Sequence, residues 1–132
     1  MVEKEKYKIW YDEENGVLRV DIYDRFDSEA ASGFLNFIRE NFESEKHRYS
    51  LIYMGERAQP LPDKETRRTI REKAGLVNWD KIAILGAKPG LRIFSKILVA
   101  ALGKSENTKF LATEEEALVW LKDEKEKEKE SK

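Results

Sequence analysis

Residues 81–121 constrain the fold more than any other part of the chain. Two short apolar segments, Lys81–Leu85 and Thr108–Leu111, flank a turn containing glycine and proline and a strongly apolar segment over residues 91–102. A further helical segment follows Thr113, which opens a T-x-x-E capping box. Apolar runs of strand length that alternate with helical segments predict a βαβα unit, in which helices join parallel strands.

Two alternating segments near the start of the chain predict a β-hairpin. Apolar side chains alternate over residues 7–11 and 17–23, and Asn15-Gly16 between them is the residue pair that accepts positive φ in a tight turn. The other predicted elements are a helix over residues 28–42, a buried strand over 50–54 and a helix over 64–74. The resulting order predicts an α/β fold with a mixed sheet of four or five strands, the hairpin plus parallel strands, packed by about four helices.

Composition bounds the class of protein. The 132 residues fit one domain, which we place at residues 1–122, followed by a charged tail over 123–132 that either extends the last helix or is disordered. The 25 basic and 26 acidic residues leave a net charge of -1, so no global attraction to nucleic acid is expected. The absence of Cys excludes thiol chemistry, and no segment has the length and apolarity of a membrane span. We expect a cytoplasmic protein, and the 39% of charged residues is typical of a thermophilic source.

The loops that follow the predicted strands at 50–54 and 81–85 contain candidate anion-binding residues. Carboxyl ends of parallel strands meet at one edge of an open α/β sheet, and a helix N-terminus there favours an anion. For the turn at residues 86–90 alone we favour backbone geometry, because neither phosphate-binding glycine motif is present. The candidate ligand residues are Gly55, Arg57, Gly86, Lys88, Gly90 and Arg92.

Four basic residues of the helix predicted over residues 64–74 share one face at i, i+3, i+4 and i+7 spacing. They are Lys64, Arg67, Arg68 and Arg71. This face fits either an acidic or phosphate-bearing partner or a solvated surface that pairs with the interleaved Glu65 and Glu72, and we favour the solvated surface.

The apolar segment over residues 91–102 leaves three alternatives open. Its apolar residues include Leu91, Phe94, Leu98 and Leu102. The segment fits a buried core helix, which we favour, a homodimer face, or the wall of a cavity for an apolar ligand.

No residue pattern predicts catalysis, a metal site or a cofactor. His47 is the only histidine, lies in a polar connection and is predicted to be on the surface. A lone histidine without cysteine argues against a transition-metal site. We therefore expect a protein that is not an enzyme.

Several segments together resemble STAS-like domains, in particular the stand-alone SpoIIAA-like (STAS/SEC14) family. The matching segments are SLIYMG at 50–55, KETRRTI at 64–70, KIAILG at 81–86, RIFSKILVAAL at 92–102 and KFLATEEEALVWL at 109–121. The resemblance implies a mixed sheet packed by helices and a non-enzymatic regulatory or binding function. The wider family has a phosphorylated serine at a helix start after the third strand, but this chain has no Ser or Thr between Met54 and Thr66. A phosphorylation switch of that type is therefore not expected.

The predicted function is a domain that binds a partner protein or a small anionic ligand. The SEC14 side of the resemblance implies an alternative, a carrier of an apolar or lipid ligand. A homodimeric interaction protein is the third possibility.

Overall fold

The described strands and helices follow the order that the sequence predicts, with one short strand and one short helix in addition. The computed structural model describes residues 2–3, 7–24, 28–55, 64–73, 77, 79–86, 92, 96 and 107–130. The elements are β1 (Val2–Glu3), β2 (Tyr7–Asp12), β3 (Val17–Ile22), α1 (Ser28–Asn41), α2 (Ser44–His47), β4 (Tyr49–Met54), α3 (Lys64–Lys73), β5 (Lys81–Leu85), β6 (Thr108–Leu111) and α4 (Glu114–Glu130). The helix predicted over residues 91–102 lies outside this part of the chain, except that Arg92 and Lys96 have helical backbone.

The strands form one mixed sheet in the order β1-β2-β3-β4-β5-β6. β1, β2 and β3 are antiparallel neighbours, whereas β3 to β6 are parallel. The predicted α/β fold is therefore confirmed: five strands of four to six residues and four described helices, with two-residue β1 added at the edge.

The β2–β3 hairpin is confirmed, but its turn differs from the prediction. Asp12 pairs with Val17, so four residues lie between the strands, and only Gly16 has positive φ, at 64°. The Gly16 amide donates to the Asp12 carbonyl at 2.8 Å, and the Asn15 side chain donates to the Asp12 carboxylate, also at 2.8 Å. Asn15 therefore stabilises the turn through its side chain rather than through positive φ.

One face of the sheet packs against α1 and α3. The predicted apolar stripe of α1 is buried at Ala31, Phe34, Leu35 and Ile38. It meets the apolar side chains that alternate along β2 and β3, as the sequence predicts. The contributing strand residues are Tyr7, Ile9, Leu18, Val20 and Ile22. This face forms the larger core.

The opposite face packs against α4. Ala117 and Leu121 are buried against Leu51, Ala83 and Leu85 of β4 and β5. The first bond of the predicted capping box is present, because the Glu116 amide donates to the Thr113 hydroxyl at 3.1 Å. The Glu116 carboxylate accepts from the Ala112 amide at 3.4 Å, one residue before the Thr113 amide that a capping box uses. α4 packs mainly on β5, with fewer contacts to β4 and β6.

The prediction of a surface His47 is wrong, because its side chain is only 3% exposed. Its Nε2 lies 3.1 Å from the carbonyl oxygen of Ile38 and 2.8 Å from that of Phe42. The Ile38 carbonyl also accepts from the Phe42 amide at 3.2 Å, whereas the Phe42 carbonyl lies beyond the last turn of α1, where carbonyls have no intrahelical donor. The imidazole N–H therefore supplies a donor at the end of α1. Because the residues around His47 in the sequence are polar, the sequence does not indicate this role.

No helix in the described ranges is long and apolar enough to cross a membrane.

Candidate functional site

The fold brings Gly55 and Gly86 together at the carboxyl ends of β4 and β5. A Cβ on Gly86, which has φ of 80°, would overlap the Met54 carbonyl oxygen. A Cβ on Gly55 would lie 2.9 Å from the Ile22 carbonyl oxygen. Both positions therefore require glycine for close backbone packing.

The side chains predicted to bind an anion at this edge are not assembled by the described residues. Arg57, Lys88 and Gly90 lie outside them, as do the apolar positions Leu91, Phe94, Leu98 and Leu102. Arg92 is described, and its guanidinium carbon lies 5.9 Å from the centre of the Phe110 ring of β6.

The predicted basic stripe lies on α3 and is mostly exposed. Lys64, Arg68 and Arg71 are exposed and Arg67 is half-buried. Arg68 Nε pairs with the Glu72 carboxylate at 3.3 Å, one turn along the helix. This pair agrees with the solvated, self-paired alternative for at least that residue.

A surface that the sequence reasoning missed lies on the α4 side of the sheet, where no described helix packs over β2 and the end of β3. We call it the open sheet face and define it by Lys8, Trp10, Arg19, Asp21 and Tyr53. Lys8, Asp21 and Tyr53 are paired across three neighbouring strands, and Trp10 pairs with Arg19 in the next row. The register alone places all five side chains on one face.

Tyr53 is the most exposed member of the open sheet face. Its side chain is 46% exposed, although β4 has a hydrogen-bonded strand on each side. The Tyr53 ring lies beside Gly86, so the open sheet face is continuous with the predicted glycine edge.

Two cations flank the Trp10 ring on the open sheet face. Lys8 Nζ lies 5.1 Å and the Arg19 guanidinium carbon 5.4 Å from the ring centre. Arg19 also forms ion pairs with Asp12, at 3.3 Å, and with Glu114. It therefore connects this face to the first turn of α4.

The carboxyl of Asp21 is half-buried on the open sheet face, near the cations Lys8 and Arg19. Burial raises the pKa of its carboxyl above the ordinary value, although Arg19 and Lys8 act in the opposite direction. An ionised Asp21 is therefore less stable in the folded chain than in water.

A charged cleft of about 490 Å³ lies at the amino ends of β4 to β6, at the other end of these strands from Gly55 and Gly86. The second half of α4 forms its other side. Its lining residues are Arg48, Tyr49, Asp80, Lys81, Asn107, Glu124, Lys127 and Glu128. Arg48 pairs with Asp80 at 2.5 Å and with Glu128, which also accepts a hydrogen bond from the Tyr49 hydroxyl. Burial, then the Glu128 carboxylate, raises the pKa of Tyr49.

Charges of opposite sign are matched in this cleft, so it holds α4 in place. Residues 123–130, for which the sequence leaves an extended helix or disorder, are helical here. One side of this segment contacts the sheet and the hairpin, because Lys125 Nζ donates to the Asn15 carbonyl at 3.1 Å and to that of Gly16. The alternating charges in the sequence indicate a helix surface, but they do not show which charged residues contact the sheet or the hairpin.

Comparison with known proteins does not assign the chain to a family. No protein-family model matches the chain, and no curated protein matches it. The STAS-like resemblance stays a prediction. Within the described residues, no group of His, Asp or Glu side chains is arranged to hold a metal ion.

Proposed function

We propose that this chain is a non-enzymatic binding domain that recognises a partner protein through the open sheet face. The observation that carries the proposal is the exposure of Tyr53 on a strand inside the sheet. Burial of an exposed aromatic ring on a partner removes a large apolar area from water.

The composition of the open sheet face supports this proposal. Tyr, Trp and Arg are the residues that most often dominate the energy of protein interfaces, and the face contains one of each. Lys8 and Arg19 both contact the Trp10 ring, which favours an ordered ring in the free protein. Ordering in the free protein reduces the entropy lost on association.

Asp21 would supply specificity at this surface. A half-buried carboxylate that loses its remaining water needs a hydrogen-bond donor from the partner, so a partner without one is rejected. The STAS-like resemblance, with its implied regulatory function, agrees with a partner protein rather than a substrate.

The test compares proteins captured from a soluble extract of the source organism by the wild-type chain, by Tyr53→Ala and by Glu126→Ala. Glu126 is an exposed residue of α4 outside the open sheet face and serves as the control. We expect quantitative mass spectrometry to show a partner that is lost with Tyr53→Ala and retained with Glu126→Ala. If no captured protein depends on Tyr53 while both variants remain folded by circular dichroism, the proposal fails.

Binding of a small anion at the glycine edge is the second candidate function. The position of Gly55 and Gly86 at the carboxyl ends of β4 and β5 supports it, since open α/β sheets bind ligands where the carboxyl ends of parallel strands meet. Calorimetric titration with inorganic phosphate and with nucleotides tests it. Heat of binding that disappears in Arg92→Gln supports this candidate, whereas no heat with either ligand class excludes it.

A further inference from the structure

A second surface lies at the other end of the sheet, between β6 and α4. It is a groove of about 540 Å³ lined by Lys109, Leu111, Glu115, Glu116, Val119, Trp120 and Asp123. Within the described sheet, β6 is the last strand in the order and pairs with β5, so residues 109–111 form a sheet edge to which a strand can add.

The groove has an apolar floor. Val119 is 59% exposed, which is more than Tyr53, and the half-buried Leu111 and Trp120 lie beside it. An exposed Val on a helix otherwise rich in Glu and Lys contributes little to folding. It is suited to contact an apolar side chain from outside.

Acidic residues dominate the rim of the groove. Glu115, Glu116 and Asp123 are exposed carboxylates, and Lys109 is the one basic residue among those that line it. The Lys109 ammonium lies 6.0 Å from the centre of the Trp120 ring. Three negative charges and one positive charge give the lining an excess of two negative charges. A second copy of the chain would bring the same excess, so this charge favours a basic occupant over a homodimer.

We propose that this groove binds an extended, basic segment of a partner protein, which pairs with β6 as an added strand. Alternate residues of an added strand point to the same side, so every second side chain of the segment meets the groove. An apolar residue would contact Val119 and Trp120, and Lys or Arg residues two positions away would meet Glu115 and Asp123. The groove and the open sheet face lie at opposite ends of the sheet, so the two proposals stand or fall separately.

The experiment uses the full chain and three synthetic peptides. The probe alternates Lys and Val over seven residues, its acidic counterpart replaces Lys by Glu, and a third peptide replaces the central Val by Pro to prevent strand pairing. Each peptide is titrated into the isotope-labelled protein, and binding is followed by the NMR chemical shifts of the backbone amides. We expect saturable binding of the Lys-Val peptide alone, with the largest shifts at β6 and at Val119 and Trp120.

Variants separate the groove from general charge attraction. Glu115→Gln/Asp123→Asn should weaken the Lys-Val peptide about tenfold, and Val119→Ser should weaken it by a similar factor. The matched control Glu126→Gln/Glu130→Gln removes two exposed acids from the same helix outside the groove and should leave affinity within about twofold. Tyr53→Ala should also have no effect.

Three outcomes would overturn the proposal. The first is no saturable binding of the Lys-Val peptide, and the second is equal binding of the proline peptide. The third is concentration-dependent dimerisation that Val119→Ser abolishes, which would assign the groove to a second copy.

Discussion

Glu128 provides the sharpest test of how α4 is held on the sheet. Its carboxylate accepts hydrogen bonds from the Arg48 guanidinium and from the Tyr49 hydroxyl. A hydrogen bond from a buried hydroxyl to a charged group contributes about 1.5–3 kcal/mol. An ion pair at a partly exposed site adds at most about 1 kcal/mol. Because the cleft is open to water, which can replace the lost acceptor, we expect Glu128→Ala to lower the free energy of unfolding by about 2 kcal/mol.

The assay is urea or thermal unfolding followed by circular dichroism, with Glu126→Ala as the matched control. Glu126 is an exposed residue of the same helix, and Ala replaces Glu in helices at no loss of propensity. For a chain of this length, about 2 kcal/mol corresponds to a decrease in Tm of roughly 6–10 °C.

A double-mutant cycle with Tyr49→Phe isolates the hydroxyl contact. We expect a coupling free energy of about 1 kcal/mol between Tyr49 and Glu128. If Glu128→Ala is no more destabilising than Glu126→Ala, or if the cycle gives no coupling, the charged cleft does not hold the helix and the reasoning fails.

Three further predictions concern groups outside that contact. The pKa of Tyr49 is raised in the folded chain, so the contribution of Tyr49 to stability is complete below the unfolded pKa of about 10 and decreases as pH rises above it. Unfolding experiments from about pH 8 to 12 should therefore show a decrease in the free energy of unfolding that is absent in Tyr49→Phe. The pKa of Asp21 is also raised, so its carboxyl lowers the stability of the fold as pH rises through the folded pKa. Asp21→Asn should therefore raise Tm at about pH 7 and not at about pH 3. An equal change in Tm at both pH values would contradict this. Gly86→Ala combines positive φ with overlap of the Met54 carbonyl oxygen and should destabilise the fold by about 2–4 kcal/mol, whereas a neutral result in urea unfolding would refute the close packing.

The sequence predicted the sheet well because its local signals agree with the tertiary arrangement. The limits of β5 and β6 match the predicted segments, and the alternation in β2 and β3 identifies the side chains of the larger core. Periodicity of this kind reports which side chains share a face, and a hydrophobic face must be buried.

The same reasoning fails where an apparently polar position is buried by partners distant in sequence. His47 lies among charged residues, yet the end of α1 folds over it and supplies two carbonyl acceptors. Glu128 lies in a run of alternating charges, and its partners are 79 and 80 residues away. Neither separation leaves a local pattern in the sequence, so only the fold reveals these contacts.

The open sheet face could not be predicted for a different reason. Alternation places Trp10 opposite the core side chains of β2, but it does not say whether a helix covers that side. α4 lies over β5 and forms its ion pair with Arg19 at the boundary, so the side chains beyond it are left without a helix in the described part of the chain. Stability alone would favour a neutral residue at Asp21, and solubility alone would favour a polar residue at Tyr53. Both residues depart from these choices on neighbouring strands, at one place in the sheet, which is the pattern expected where a surface is kept for binding.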